Sequence, residues 1–247
     1  MADKNPIMAH MVAGFPTREL SFEVARGLID GGTSYLEVQF PFSDPTADGT
    51  VIQAACTEAL DGGFTLEAGF TLIEQIREYS TIPIFIMSYA SPVAALGVER
   101  FVKRAKQAGA EGLIVPDLAP FHDEGLYTAG ERETVQIVPV VVPSMREDRL
   151  TEVAALRPAY IYAALRTGVT GEETGLDSAY RYLETLSSTV PNAKLFAGFG
   201  VRTRDQVRAL TSHVHAAVIG TAFVQAVRKA ACDTLYHEIR EAVRYFV

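Results

Sequence analysis

Glu37 and Asp48 are the residues whose type and spacing are best suited to chemistry. Glu37 lies inside Tyr35-Leu36-Glu37-Val38-Gln39-Phe40, a β-branched and aromatic run that reads as a strand. A buried strand rarely tolerates a carboxylate among such neighbours. The run breaks at Pro41 into Phe42-Ser43-Asp44-Pro45-Thr46-Ala47-Asp48-Gly49, too rich in Pro, Gly and Asp for helix or strand. One acid is thus expected near a strand end and the other on the loop that follows. A carboxyl in an apolar pocket has its charged form disfavoured, whereas one in a wetter loop stays ionised. Glu37 is expected to be the first kind and Asp48 the second, a pair suited to acid/base work on an uncharged organic molecule. The plainer alternative puts Glu37 on an exposed strand face and leaves Asp44 and Asp48 to cap turns.

The rest of the chain supplies the frame that positions these acids. Ile7 to Val12 is apolar enough for a buried strand, and Thr17 is placed to cap a helix over residues 18–30 that Gly31-Gly32 ends. Beyond the Asp48 loop, residues 51–60 and 66–79 read as helices broken at Gly62-Gly63, and 82–87 as a third strand. The alternation then continues. Strands are expected at 112–115, 135–141, 160–164, 194–197 and 215–219, with helices at 98–108, 122–132, 146–156, 177–186 and 204–210, and helical patterning to Phe246. Eight strands each followed by helix, within 247 residues, predict an α/β fold in the form of a single (β/α)8 TIM barrel, one domain spanning residues 1–247. A doubly wound open sheet is the runner-up, but it usually stops at five or six parallel strands.

In a barrel the active site lies at the C-terminal ends of the strands. His10, Glu37, Tyr89, Asp117 and Tyr162 fall there, as do the loops 166–175, 198–200 and 220–221. The last two follow the seventh and eighth expected strands, where barrels commonly hold phosphate on backbone N–H groups and a helix N-terminus. Gly198-Phe199-Gly200 and Gly220-Thr221 have the composition for this, against the alternative of ordinary βα turns. Tyr162 suits a pocket wall or a core position equally. Other chemistries lack their residues. Lys4, Lys103, Lys106, Lys194 and Lys229 fall on the leader, helices or a strand start, not where a Schiff-base lysine belongs. His122, His213, His215 and His237 occupy helix or strand-start positions, so the sequence predicts no metal site.

Composition agrees with a soluble cytoplasmic protein. A formal net charge of -8 disfavours a nucleic-acid or anionic-membrane surface, and 48% hydrophobic residues suffice for a large core. Cys56 and Cys232 show no ligand spacing and read as small core residues of a reducing compartment. The N-terminus lacks the apolar stretch of a signal peptide.

Residues 36–49, Leu-Glu-Val-Gln-Phe-Pro-Phe-Ser-Asp-Pro-Thr-Ala-Asp-Gly, closely resemble the signature of the tryptophan synthase α subunit family. Arg166-Thr167-Gly168-Val169-Thr170-Gly171 is similar to that family's mobile active-site loop. Gly198-Phe199-Gly200 and Ile219-Gly220-Thr221 resemble its phosphate-binding turns, and Val115-Pro116-Asp117-Leu118 its fourth-strand motif. The resemblance implies retro-aldol cleavage of indole-3-glycerol phosphate to indole and glyceraldehyde 3-phosphate. Glu37 would protonate indole C3 and handle the glycerol hydroxyl proton, and Asp48 would accept the indole N–H. Gly171, Gly198, Phe199, Gly200, Gly220 and Thr221 would hold phosphate, while Tyr162, Tyr89 and His10 line the pocket. Arg166 and Thr170 would belong to a lid, with Thr170 approaching Asp48.

The resemblance further implies no cofactor in this chain, pyridoxal phosphate on a partner β subunit, and an α2β2 heterotetramer. The 42–45 loop and a Ser91-Pro92 loop would face that partner. The sequence departs from the family pattern at five positions: His10 stands in place of the usual Phe or Tyr, Phe15 of Asp, Gln39 of Gly, Thr50 of Pro and Ser91 of Asn. The leader is also shorter than is common, so the family's first helix is expected to be missing or vestigial. These departures touch the pocket, the Glu37 strand and the partner surface. They keep two other functions in view: a stand-alone phosphate-binding barrel lyase or isomerase on a related substrate, and a low-activity barrel acting mainly as partner or activator.

Overall fold

The computed structural model describes residues 5–165, 176–198 and 200–247. Strands and helices alternate as β1 (Ile7–Val12), α1 (Ser21–Gly31), β2 (Tyr35–Gln39), α2 (Thr50–Asp61), α3 (Leu66–Tyr79), β3 (Ile84–Met87), α4 (Ala90–Leu96), α5 (Val98–Ala108), β4 (Gly112–Ile114) and α6 (Leu126–Glu133). The chain continues as β5 (Gln136–Val138), β6 (Val140–Val141), α7 (Glu147–Ala155), β7 (Tyr160–Ala164), α8 (Leu176–Thr189), β8 (Lys194–Gly198), α9 (Arg204–Thr211), β9 (Ala216–Ile219), α10 (Thr221–Lys229) and α11 (Leu235–Phe246).

Every described strand pair is parallel, in the order β5-β4-β3-β2-β1-β9-β8-β7-β6. The two ends of that order, β5 and β6, are separated only by Pro139. Proline has no N–H to give to a ladder, so it interrupts one strand into two short pieces. The Pro139 carbonyl still accepts from Tyr162 N at 3.0 Å. β5 and β6 are therefore halves of a single barrel strand, and joining them closes the order into the eight-stranded (β/α)8 barrel that the alternation predicts.

Side chains alternate between two cores, as strand geometry requires. Ile7, Ala9, Leu36, Val38, Ile84 and Ile86 face outward onto the helices, whereas Met8, Phe85, Met87, Tyr160, Tyr162, Phe196, Ala216 and Val218 fill the barrel. Tyr35, Phe85, Tyr160 and Phe196 make an aromatic floor, with ring centroids 4.8 Å apart for Tyr35 and Phe196 and 5.3 Å for the stacked Tyr160 and Phe196. Burial of each such ring contributes about 1.5–3 kcal/mol. The inward positions above this floor are the ones that can meet a substrate.

Several expectations shift in detail. Ser91 and Pro92 lie in the first turn of α4, not in a loop, because proline is tolerated where a helix N–H has no partner. Asp117 caps that helix, its Oδ1 accepting from Ala90 N at 2.9 Å. α6 begins at Leu126, after a loop in which Phe121 and Glu124 take positive φ. α1 begins at Ser21, and Thr17 accepts from Leu20 N in the turn before it. The last helical stretch is two helices, interrupted between Ala230 and Thr234. Cys56 is buried as expected, but Cys232 is exposed.

Candidate active site

β2 carries Tyr35, Glu37 and Gln39 at the period-two spacing that sends all three inward. Glu37 and Gln39 are 3% and 0% exposed, so the alternative of an exposed strand face does not hold. In the β1–β2 register His10 stands opposite Glu37. Neighbours on parallel strands share a level and a face, and His10 Nδ1 lies 2.9 Å from Glu37 Oε2. Both side chains are buried. Burial is the largest influence on the His10 imidazole and works against its protonation. The charge and hydrogen bond of Glu37, with the charge of Asp48, outweigh burial and raise its pKa above the usual value.

Asp48 is not the wet, freely ionised loop acid that its surroundings in sequence suggest. Its Oδ2 accepts from Gln39 Nε2 at 2.7 Å and from Tyr89 Oη at 2.7 Å. Burial of the carboxyl, the largest cause, pushes its pKa up, helped by the charge of Glu37, against the pull of His10 and the two donors. Local bonds bring the loop over the barrel: Asp48 N donates to Pro45 O at 3.1 Å, and Gln53 Nε2, from α2, donates to Asp48 O at 2.8 Å. Tyr89 does more than line a pocket. Its hydroxyl accepts from Ala47 N at 3.1 Å while donating to Asp48, so one phenol anchors both loop and acid. Tyr162 projects from β7 into the barrel, buried; that burial, and then the charges of Glu37 and Asp48, hold its hydroxyl well above its ordinary pKa.

The glycine turns differ from one another. Gly198 ends β8, and a Cβ there would meet Val218 Cβ at 2.8 Å and the Tyr162 hydroxyl at 3.0 Å. Its lack of a side chain makes room for Tyr162, a packing reason the sequence did not reveal. Gly200 takes a φ of 88°, the left-handed conformation that glycine adopts without penalty. The following helix, α9, is closed by its own capping box: Thr203 accepts from Gln206 N, and Gln206 caps back. α10 is different. Gly220 precedes Thr221 at its N-terminus with no side-chain cap, which leaves amide donors and the positive end of the helix dipole facing the barrel mouth. Gly171, Phe199, Arg166 and Thr170, and with them the lid expectation, lie outside the described residues.

The sequence puts His10 at the mouth and marks both His10 and Gln39 as departures from the family pattern, but it does not show that each bonds to one of the carboxylates. The signal was present in their inward parity with Glu37, but the pairing of His10 with Glu37 becomes visible only with the strand register. Two surface clefts, one lined by Phe15, Pro16 and Cys232 and one by Arg18, Glu19 and Phe64, lie apart from these residues.

A closed parallel barrel with polar groups gathered at the carboxyl ends of its strands places the molecule in the class of (β/α)8-barrel enzymes. The family model described as tryptophan synthase alpha chain matches residues 1–245. The tryptophan synthase alpha chain of Helicobacter hepaticus is 36% identical over 228 residues, covering 90% of this chain and 85% of the relative. That of Leifsonia xyli is 34% identical, covering 96% and 93%. Among solved structures, a mutant tryptophan synthase alpha-subunit from the hyperthermophile Pyrococcus furiosus superposes with a TM-score of 0.88 at 27% identity, covering 100% of this chain and 99% of the other. Tryptophan synthase from M. tuberculosis gives 0.86 at 25% identity, covering 98% and 93%. The chain belongs to the tryptophan synthase α chain family. It is an enzyme with the family's α-subunit role in tryptophan biosynthesis, a role that implies a β-subunit partner.

Proposed function

We propose that this chain cleaves indole-3-glycerol phosphate to indole and glyceraldehyde 3-phosphate by a retro-aldol reaction run by two carboxyl groups, the buried Glu37 and the half-buried Asp48. The observation that carries the reading is the presence of Glu37 and Asp48 at one end of the barrel, Glu37 held by His10 and Asp48 by Gln39 and Tyr89, each acid with one oxygen that has no described bond. Glu37 gives a proton to indole C3 and takes one from the glycerol hydroxyl as the carbon–carbon bond breaks, so its protonation state is restored in each turnover. Asp48 accepts the indole N–H through Oδ1 and stabilises the positive charge that develops on the ring. Tyr162 and Tyr89 pack the pocket, and the N-terminus of α10 with Gly220 and Thr221 holds the phosphate, joined by Gly200 and the 198–200 turn. The family resemblance would add Gly171, Phe199, Arg166 and Thr170 to the site, residues that lie outside those the structure describes.

The chain supplies side-chain chemistry alone. It works in the cytoplasm with a pyridoxal-phosphate β subunit in an α2β2 assembly. His10 and Gln39, which bond to the two acids, favour a second reading in which the barrel acts on a related phosphorylated substrate. Incubating the isolated chain with indole-3-glycerol phosphate, alone and with a β subunit, separates the two. Indole release supports the first reading, and intact substrate in both mixtures rejects it.

A further inference from the structure

His10 is the buried titratable group that this chemistry leaves without a task. The residue is 4% exposed on β1, in register with Glu37, and its Nδ1 is 2.9 Å from Oε2. Its Nε2 is buried and has no partner among the described residues, so the Glu37 bond alone orients the imidazole through a polar contact. Gly220 lies alongside the ring, since a Cβ added there would come within 3.5 Å of His10 Cδ2 and Cγ and 3.4 Å of Ile52 Cδ1, and neither neighbour brings a charge. The titratable groups that act on it are Glu37 from β2 and Asp48 from the following loop; Tyr162 from β7 and Tyr89 act on those two acids in turn.

We propose that His10 is a positioning residue for Glu37: its Nδ1 holds Oε2, fixes the carboxylate rotamer and leaves Oε1 as the oxygen that exchanges protons with substrate. The proposal deepens the lyase reading and rests on it for the reaction, though not for the pair itself. A buried carboxylate with no bonded partner is costly and free to rotate, and rotation misaligns proton transfer. His10 removes both problems with one hydrogen bond on the side away from the reacting oxygen. A cationic imidazole also favours the carboxylate that forms when Glu37 gives up its proton.

The test uses the full chain in two arms. In the first, the His10 imidazole is titrated by 15N NMR in the wild type and in Glu37→Gln. The expected result is a proton on Nδ1 and a lower titration midpoint once Glu37 is neutralised; an unchanged midpoint overturns the pairing. In the second, kcat and KM are measured against pH for His10→Phe, which keeps an aromatic ring, and His10→Asn, which keeps an amide near the Nδ1 position. His10→Phe is expected to lower kcat at least about tenfold, with KM changed less than about threefold, and to alter the pH profile of kcat. His10→Asn should recover part of kcat. A wild-type kcat and profile in His10→Phe overturns the proposal, and should that variant fail to fold, an Asn variant slowed no less than Glu37→Gln overturns it instead. Failure of the wild type to cleave the substrate rejects the lyase reading, and the NMR arm then decides the pair separately.

Discussion

Replacing Asp48 with Asn should cost the enzyme its rate while sparing, or even improving, its stability. In the wild type one oxygen, Oδ2, accepts both short bonds, from Gln39 and from Tyr89. An asparagine carbonyl in that place accepts the same two donors, so no buried donor loses its partner. What changes is charge. The bonds weaken from charge-assisted, about 1.5–3 kcal/mol each, to neutral, about 0.5–1.5 kcal/mol each. Against this, the carboxylate no longer has to be desolvated, and the raised pKa of Asp48 means that desolvation, with the repulsion of Glu37, outweighs what its partners return. The net effect at pH 7 is expected to lie between no change and a gain of about 1 kcal/mol.

The sign has a pH signature. With its pKa raised above the usual aspartate value, the folded state holds the Asp48 proton more tightly than the unfolded chain. Wild-type stability from this group is therefore highest below that value and falls as pH rises through the folded pKa. The advantage of Asp48→Asn must grow in the same direction. Urea unfolding at acid and neutral pH measures it, beside the rate of indole release, which should fall about 10²- to 10³-fold for loss of an electrostatic stabiliser. A variant more than about 2 kcal/mol less stable at pH 7, a stability difference independent of pH, or full activity would refute the reasoning.

Three further changes probe the frame around the acids. Tyr89→Phe removes the hydroxyl that joins Ala47 N to Asp48, and should lower stability by about 1–3 kcal/mol in denaturant unfolding while also slowing turnover. Gly198→Ala brings a methyl within 2.8 Å of Val218 and 3.0 Å of the Tyr162 hydroxyl, so a melting curve should show about 1–3 kcal/mol of overpacking cost. Gly220→Asp has room, its nearest neighbours being 3.4 and 3.5 Å away, and an aspartate there can cap α10. The fold should hold, and KM for phosphorylated substrate should rise because the new carboxylate competes for the anion site.

The barrel was legible in the sequence because its βα alternation is periodic and each signal is local. Tyr160–Ala164 and Val98–Ala108 even have the bounds that patterning implies. α4 was not legible, since Ser91-Pro92 has turn composition, and the carboxylate that meets the helix's first N–H, Asp117, comes from the loop after β4. The split at Pro139 was likewise hidden, as the apolar run 135–141 masks a missing donor. Glu37 could be found as an anomalous acid in an apolar strand. Its pairing with His10 could not, because it spans 27 residues and depends on register alone. The Asp48 loop looks wet in sequence and most of it is exposed, but Asp48 is half-buried and tied down by contacts from Gln39, Gln53 and Tyr89, none of which local composition reveals.

The central claim is that Glu37 is the group that moves protons in the cleavage of indole-3-glycerol phosphate, and single-turnover indole release by wild type and Glu37→Gln tests it most directly. Glutamine keeps the side chain's length and can still meet His10 Nδ1, so the melting curve should stay close to wild type. The rate is expected to fall about 10²- to 10⁴-fold. A folded Glu37→Gln protein that releases indole at the wild-type rate would contradict the account.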